Sequence, residues 1–134
     1  MAGRRHGTGD WSALNASRQD DFILRQVAAV AAAIARILGL RSGGAVEEAR
    51  SELDRAYAEF LGPRSELLRE VDAATAAALI DAPDAIRALA RLSAEEAEQE
   101  GDADRQATLR LRSVALEAEA SRREARQRGD EPAA

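Results

Sequence analysis

The sequence predicts an all-α protein made of two helical hairpins joined by short helices, and three observations carry that expectation. Hydrophobic residues make up 46% of the chain but aromatics only 3%, and much of the remainder is alanine. The core therefore has to be built from Leu, Ile, Val and closely packed Ala, which favours helices over sheets. Val and Ile recur at helical spacing instead of alternating along the chain. Breaks at Ser42-Gly43-Gly44, Gly62-Pro63, Asp81-Ala82-Pro83-Asp84 and Gly101-Asp102 cut the chain into pieces of helix length.

Taken in order, residues 1–18 (MAGRRHGTGDWSALNASR) are rich in Gly, Ser, Asn and Arg and show no period. That predicts a flexible N-terminal tail over 1–18, followed by one all-helical domain over 19–121. Helix 1 is expected from Gln19–Asp21, where acids suit the positive end of the helix dipole, to about Leu40. Ile23, Val27, Val30, Ile34 and Ile37 form one heptad-like seam, and Leu24, Ala28, Ala31, Ala35 and Leu38 form a second beside it. Only Arg25, Gln26 and Arg36 interrupt this apolar surface, so helix 1 is predicted to be the central helix.

Helix 2 follows from about Ala45 to Leu61, with Glu47 and Glu48 in its first turn and Tyr57 and Phe60 in core positions. Residues 63–82 suggest two short helices, the second capped by Asp72. Pro83 is pre-set for the first position of helix 5, which runs to about Glu100. Asp102 caps helix 6, whose predicted buried stripe is Ala107, Leu111, Val114 and Ala118, flanked by Leu109 and Leu116. From Arg122 the stripe is lost, and 122–134 reads as a frayed basic helix end and tail.

Displacing the chain against itself by 58 residues sets Gly43 on Gly101, Ala49 on Ala107, Leu53 on Leu111 and Ala56 on Val114. The stretches FILRQVAAVAAAIARILGLR at 22–41, EEARSELDRAYAEFLG at 47–62 and ALARLSAEEAEQEGDADRQATLRLRSVAL at 88–116 together resemble a family of small bacterial all-helical proteins. That family is classed as a domain of unknown function and has a tetratricopeptide-like look. The resemblance covers about 22–118 and implies a fold of two tetratricopeptide-like hairpins, but no activity. The connector at 63–82 makes each unit longer than a true tetratricopeptide repeat of about 34 residues. Both a compact bundle and a short solenoid fit.

The chemistry available is narrow. There is no cysteine and a single histidine, His6, so disulfides, thiolate metal sites, paired-histidine zinc sites and Glu-x-x-His di-iron sites have no residues to build them. No glycine-rich phosphate loop is present. The expectation is no catalytic residue, no cofactor and no metal ligand, hence no enzyme. Glu95, Glu96, Glu98 and Glu100, like Glu47, Glu48 and Glu52, read as solvated carboxylate faces. All 19 basic residues are arginine, yet the net charge is −5, which argues against nucleic acid or an anionic membrane as partner. The arginines at 122–128 are interleaved with acids and lack stacking aromatics.

Three residues remain as candidates for partner binding. Arg25 and Arg36 lie beside the apolar face of helix 1, where they either snorkel at the rim or, in the case of Arg36, project into a groove and pair with a ligand or partner carboxylate. Trp11 either folds onto an apolar patch or anchors a partner. The favoured reading is a non-enzymatic helical protein–protein interaction module that presents a concave face to a peptide or helix. The alternatives are a structural homo-oligomer using the apolar face of helix 1 and a small-ligand-binding helical bundle. The apolar run Val27 to Ile34 is short for a membrane span, and no signal-peptide pattern precedes it, so the expected location is the cytoplasm.

Overall fold

The computed structural model describes residues 2–129, and the side chains of residue 15 and of 17–129. The described residues form six α-helices: α1 (Ala2–Ser42), α2 (Val46–Leu61), α3 (Ser65–Glu70), α4 (Ala73–Ile80), α5 (Pro83–Gln99) and α6 (Ala103–Arg128), with a 3-10 turn at Gly62–Arg64 before α3. No strand is present among the described residues. The all-α class and the two hairpins, α1/α2 and α5/α6, are as the sequence predicts, and the two pack as a compact bundle.

The local signals act as expected. Gly44 turns the chain out of α1 at φ +80°, a conformation that costs glycine little. Gly62, at φ +64°, closes α2, its N–H donating to the Ala58 carbonyl. The Asp72 carboxylate accepts from the Thr75 N–H at 3.3 Å and caps α4. Asp81 ends α4 in a left-handed conformation, φ +69°, and the chain then enters α5 at Pro83. Asp102 caps α6 through the Arg105 N–H at 2.9 Å.

Three expectations are corrected. First, the central helix is α5. It packs against α1, α2, α4 and α6, and ten of its seventeen residues are buried: Pro83, Ala85, Ile86, Ala88, Leu89, Ala90, Leu92, Ser93, Glu95 and Ala97. Helix α1 is a wall of the bundle. Its first seam supplies the core with Val30, Ile34 and Ile37, joined by Ala33, whereas Leu24, Ala28, Ala35 and Leu38 of the second seam are exposed. The small side chains that make α5 look unremarkable in sequence are what let helices surround it.

Second, α6 buries the opposite face from the one its Leu/Val stripe predicts. Leu109, Leu116 and Ala120 are buried, while Ala107, Leu111, Val114 and Ala118 are exposed. The face turned to α5 reads 109, 113, 116, 120, and Ser113 disguises it in sequence. In the fold the Ser113 hydroxyl donates to the Ala90 carbonyl at 2.8 Å, and the fully buried Ser93 hydroxyl donates to the Leu109 carbonyl at 3.1 Å. Each serine thus behaves as a small residue whose polar atom is satisfied. The 58-residue correspondence consequently fails in packing: Ala49, Leu53 and Ala56 are buried, and their counterparts Ala107, Leu111 and Val114 are not.

Third, the helical boundaries reach further than predicted at both ends. Helix α1 begins at Ala2, not near Gln19, since extending a formed helix costs far less than starting one. Helix α6 continues to Arg128 and is tied to the body over 122–128. Arg87 of α5 holds Glu124 through both guanidinium nitrogens at 2.6 and 2.9 Å, and Arg123 pairs with Glu119 and Asp81.

The orientation of α6 is tested by two truncations. Leu116 is fully buried and Leu111 is 71% exposed. Leu116→Ala is expected to lower the unfolding free energy by about 3 kcal/mol, and Leu111→Ala by no more than about 0.5 kcal/mol. Urea unfolding of the two variants at low protein concentration checks the difference.

Candidate functional site

Two polar clusters lie between the helices, one around Glu95 and one around Glu96, both of which the sequence reads as part of a solvated face. Glu95 is only 5% exposed. The Arg41 guanidinium, from the last turn of α1, approaches both its carboxylate oxygens through Nη1, at 2.8 and 2.9 Å. Gln99 Nε2 donates to Glu95 at 3.2 Å and to the Ala49 carbonyl at 3.3 Å, so the cluster joins α1, α2 and α5. The Gln99 Oε1 atom is buried without a hydrogen-bond partner. A usable signal for Glu95 existed: it falls in the row 88, 92, 95, 99 along the buried side of α5.

The second cluster centres on Tyr57, which is fully buried in α2 as its predicted core position implies. Its hydroxyl donates to Glu96 Oε1 at 2.7 Å. Arg69 lies over the ring, 3.9 Å from its centroid, and contacts Glu96 at 3.4 Å and Asp54 at 3.2 Å. Arg105 adds a third contact to Glu96 at 3.2 Å. Arg112 of α6 donates to the Leu68 and Val71 carbonyls and so holds the end of α3. Burial, reinforced by the Glu96 carboxylate, pushes the Tyr57 phenol well above its ordinary value. Every charged member of these clusters meets an opposite charge or a carbonyl, an arrangement that holds the helices in register.

Among the described residues no group of three or more His, Asp or Glu side chains converges as a metal site would require. Arg36 lines a cleft of about 640 Å³ between α1 and α2, with Gly39, Leu40, Glu47, Glu48, Ser51 and Glu52. Its partner there is Glu52 of the same chain, at 3.3 Å, and Arg36 remains 57% exposed. Arg25 is exposed on the same flank of α1, eleven residues earlier and about 16 Å along the axis. The structure thus brings Arg25 and Arg36 onto one edge, with Arg18 a further two turns back. The side chains of Trp11 and His6 lie outside the described residues.

Beside that edge runs the outer face of α1. Leu24 (57% exposed) and Leu38 (47%) bracket Ala28, Ala31 and Ala35, and Ala32 extends the face toward the arginine edge. Asp21 and Glu47 are consecutive acids in the sequence, so α1 itself places no carboxylate between Arg25 and Arg36, and the acid that meets Arg36 is Glu52 of α2. The segment Ser17–Ser42 is long and apolar enough to cross a membrane, with a window of mean hydropathy 1.7 of which 22% is buried. This revises the shorter apolar run read from the sequence. Its opposite side, Val30, Ala33, Ile34 and Ile37, is packed into the bundle.

Two measurements follow from the clusters. Removing Arg41 leaves a carboxylate buried beside one amide, so Arg41→Ala is expected to cost about 3 kcal/mol of stability. Arg36→Ala, at an exposed pair, is expected to cost no more than about 0.5 kcal/mol; equal losses in urea unfolding would contradict the contrast. Tyr57 is the only tyrosine, so phenolate absorbance reports it alone. Its raised folded-state value means the folded form keeps the proton after the unfolded chain, which ionises near pH 10, has lost it. The stability that the buried Tyr57 phenol contributes is therefore fully present below about pH 10 and declines above it. Phenolate absorbance is expected to rise together with loss of helical circular dichroism; ionisation preceding unfolding would contradict the burial.

No family model matches this chain, and neither a curated protein nor a solved structure matches it.

Proposed function

We propose that the protein is a non-enzymatic helical interaction module whose contact face is the outer side of α1. The observation that carries this reading is the continuous exposed row Leu24, Ala28, Ala35 and Leu38, with Ala31 half-buried between them, on a helix already anchored by its other side. Large apolar side chains spaced about 21 Å apart on one face, with alanines between them, suit the apolar stripe of another helix approaching closely. The edge formed by Arg18, Arg25 and Arg36 favours a partner helix with carboxylates along the matching side. A tetratricopeptide-like arrangement of the hairpins and a cytoplasmic location are part of the same proposal. A membrane reading of the same face is the competing one, supported by the mean hydropathy of Ser17–Ser42 and weakened by the packing of Val30, Ile34 and Ile37 against α2 and α5.

The test uses the full chain and Leu24→Glu/Leu38→Glu. From an extract of the source cells, wild type is expected to retain a specific protein partner that this variant loses, with circular dichroism unchanged. Leu111→Glu, on the other side of the molecule, is expected to retain it. Equal capture by all three proteins would overturn the reading. So would wild type co-floating with phosphatidylglycerol vesicles while capturing no protein that the variant loses.

A further inference from the structure

The exposed row on α6 has a different character from that on α1. Among the described residues Leu111 and Val114 are the two most exposed large apolar side chains, at 71% and 67%. With Ala107 and Ala118, also exposed, they are spaced four, three and four residues apart, the spacing of a coiled-coil seam. We propose that this seam is a self-association surface, which pairs with α6 of a second copy of the chain in antiparallel orientation about a two-fold axis.

The argument rests on charge and size complementarity. A two-fold interface has to be self-complementary, because each copy presents the same patch. An axis between Leu111 and Val114 sets Leu111 against Val114 of the second copy, and the converse, with Ala107 against Ala118 in the layers outside them. The bulky pairs then sit at the centre and the alanines let the helices close on either side. On one flank of the seam lie Arg110 and Glu117. In the antiparallel arrangement like flanks meet, and the same axis brings Arg110 of each copy beside Glu117 of the other, giving two equivalent ion pairs. The other flank, Thr108 and Ala115, is uncharged and meets itself without penalty.

Each charged residue has a partner within its own chain, held at the solvent-exposed edge. Arg110 contacts Glu98 at 3.5 Å with both side chains half-exposed, and Glu117 contacts Arg87 at 3.3 Å. Arg87 keeps its two-nitrogen pairing with Glu124 when Glu117 turns away. The outer face of α1 fails the same test, since a two-fold axis would lay its arginine edge against itself, with no acid of α1 between Arg25 and Arg36 and with Glu52 of α2 already paired to Arg36. The α6 surface is therefore separate from the face of α1 assigned above, and either reading can fail without the other.

Size-exclusion chromatography with light scattering across a concentration series is expected to show a monomer–dimer equilibrium for the full chain. Leu111→Glu/Val114→Glu is expected to be monomeric with an unchanged helical spectrum, both residues being exposed. Arg110→Glu is expected to raise the dimer Kd roughly tenfold, and Arg110→Glu/Glu117→Arg to restore it, because the exchange re-forms both ion pairs. Because the chain has no cysteine, a mixture of Ala107→Cys and Ala118→Cys proteins reports the orientation. Mixed disulfides between the two variants are expected, and disulfides within each variant alone would overturn the antiparallel pairing. A monomer at every concentration, or a dimer that persists in Leu111→Glu/Val114→Glu and is lost in Leu24→Glu/Leu38→Glu, would overturn the proposal.

Discussion

The bundle depends on how closely other helices can approach α5. Ala85, Ala88, Ala90 and Ala97 project little beyond the backbone, and Ser93 is no larger. Small residues shorten the distance between helix axes, and dispersion contacts then involve backbone as well as side-chain atoms. At such distances a polar atom must be satisfied by the neighbouring helix itself. The hydroxyls of Ser93 and Ser113 meet that requirement by donating to carbonyls across the α5–α6 contact. With α6 seated in this way, Leu116 and Ala120 complete the core below Leu89 and Leu92, and the remaining helices dock on the other sides of α5.

Charged side chains then set the register of that assembly. Burying Glu95 is tolerable because Arg41 reaches it from the end of α1 and Gln99 adds a hydrogen bond from its own helix. The same pairing positions the Gly43-Gly44 turn over the end of α5. Tyr57 and Glu96 act likewise between α2 and α5, with Arg69 and Arg105 compensating the carboxylate. Buried pairs of this kind add little net stability compared with apolar packing, but their loss is costly, so they disfavour slipped arrangements of alanine-rich helices. Alanine surfaces alone discriminate poorly between neighbouring registers, since each position offers the same small side chain.

A central α5 has a consequence for the surface. Helices α1 and α6 each bury one side against the bundle, and each is apolar on a second side as well. The two outer faces differ in the charges their own helices supply: α1 places Arg25 and Arg36 beside its seam, with Glu52 of α2 on Arg36, whereas α6 places arginine and glutamate together beside its own. That difference in charge pattern, more than the apolar area, separates a face suited to an acidic partner from one suited to a second copy.

The sequence by itself determined the helical class, the positions of the turns and the two hairpins, because glycine, proline and capping aspartates act within a few residues of where they stand. It also fixed which side chains are available, with no cysteine and a single histidine. Which face of each helix is buried was legible for α2, where Ala49, Leu53 and Tyr57 form a single apolar stripe. For α1 and α6 two apolar rows compete on one helix, and local pattern cannot rank them. The tertiary structure decided between them through contacts distant in the chain: Ser113 with Ala90, Arg41 with Glu95, and Ile37 with the core around α5. A serine able to reach a neighbouring carbonyl, or a glutamate able to reach an arginine on another helix, counts as polar in sequence and as core in the fold, because only the fold supplies the partner that makes its burial tolerable.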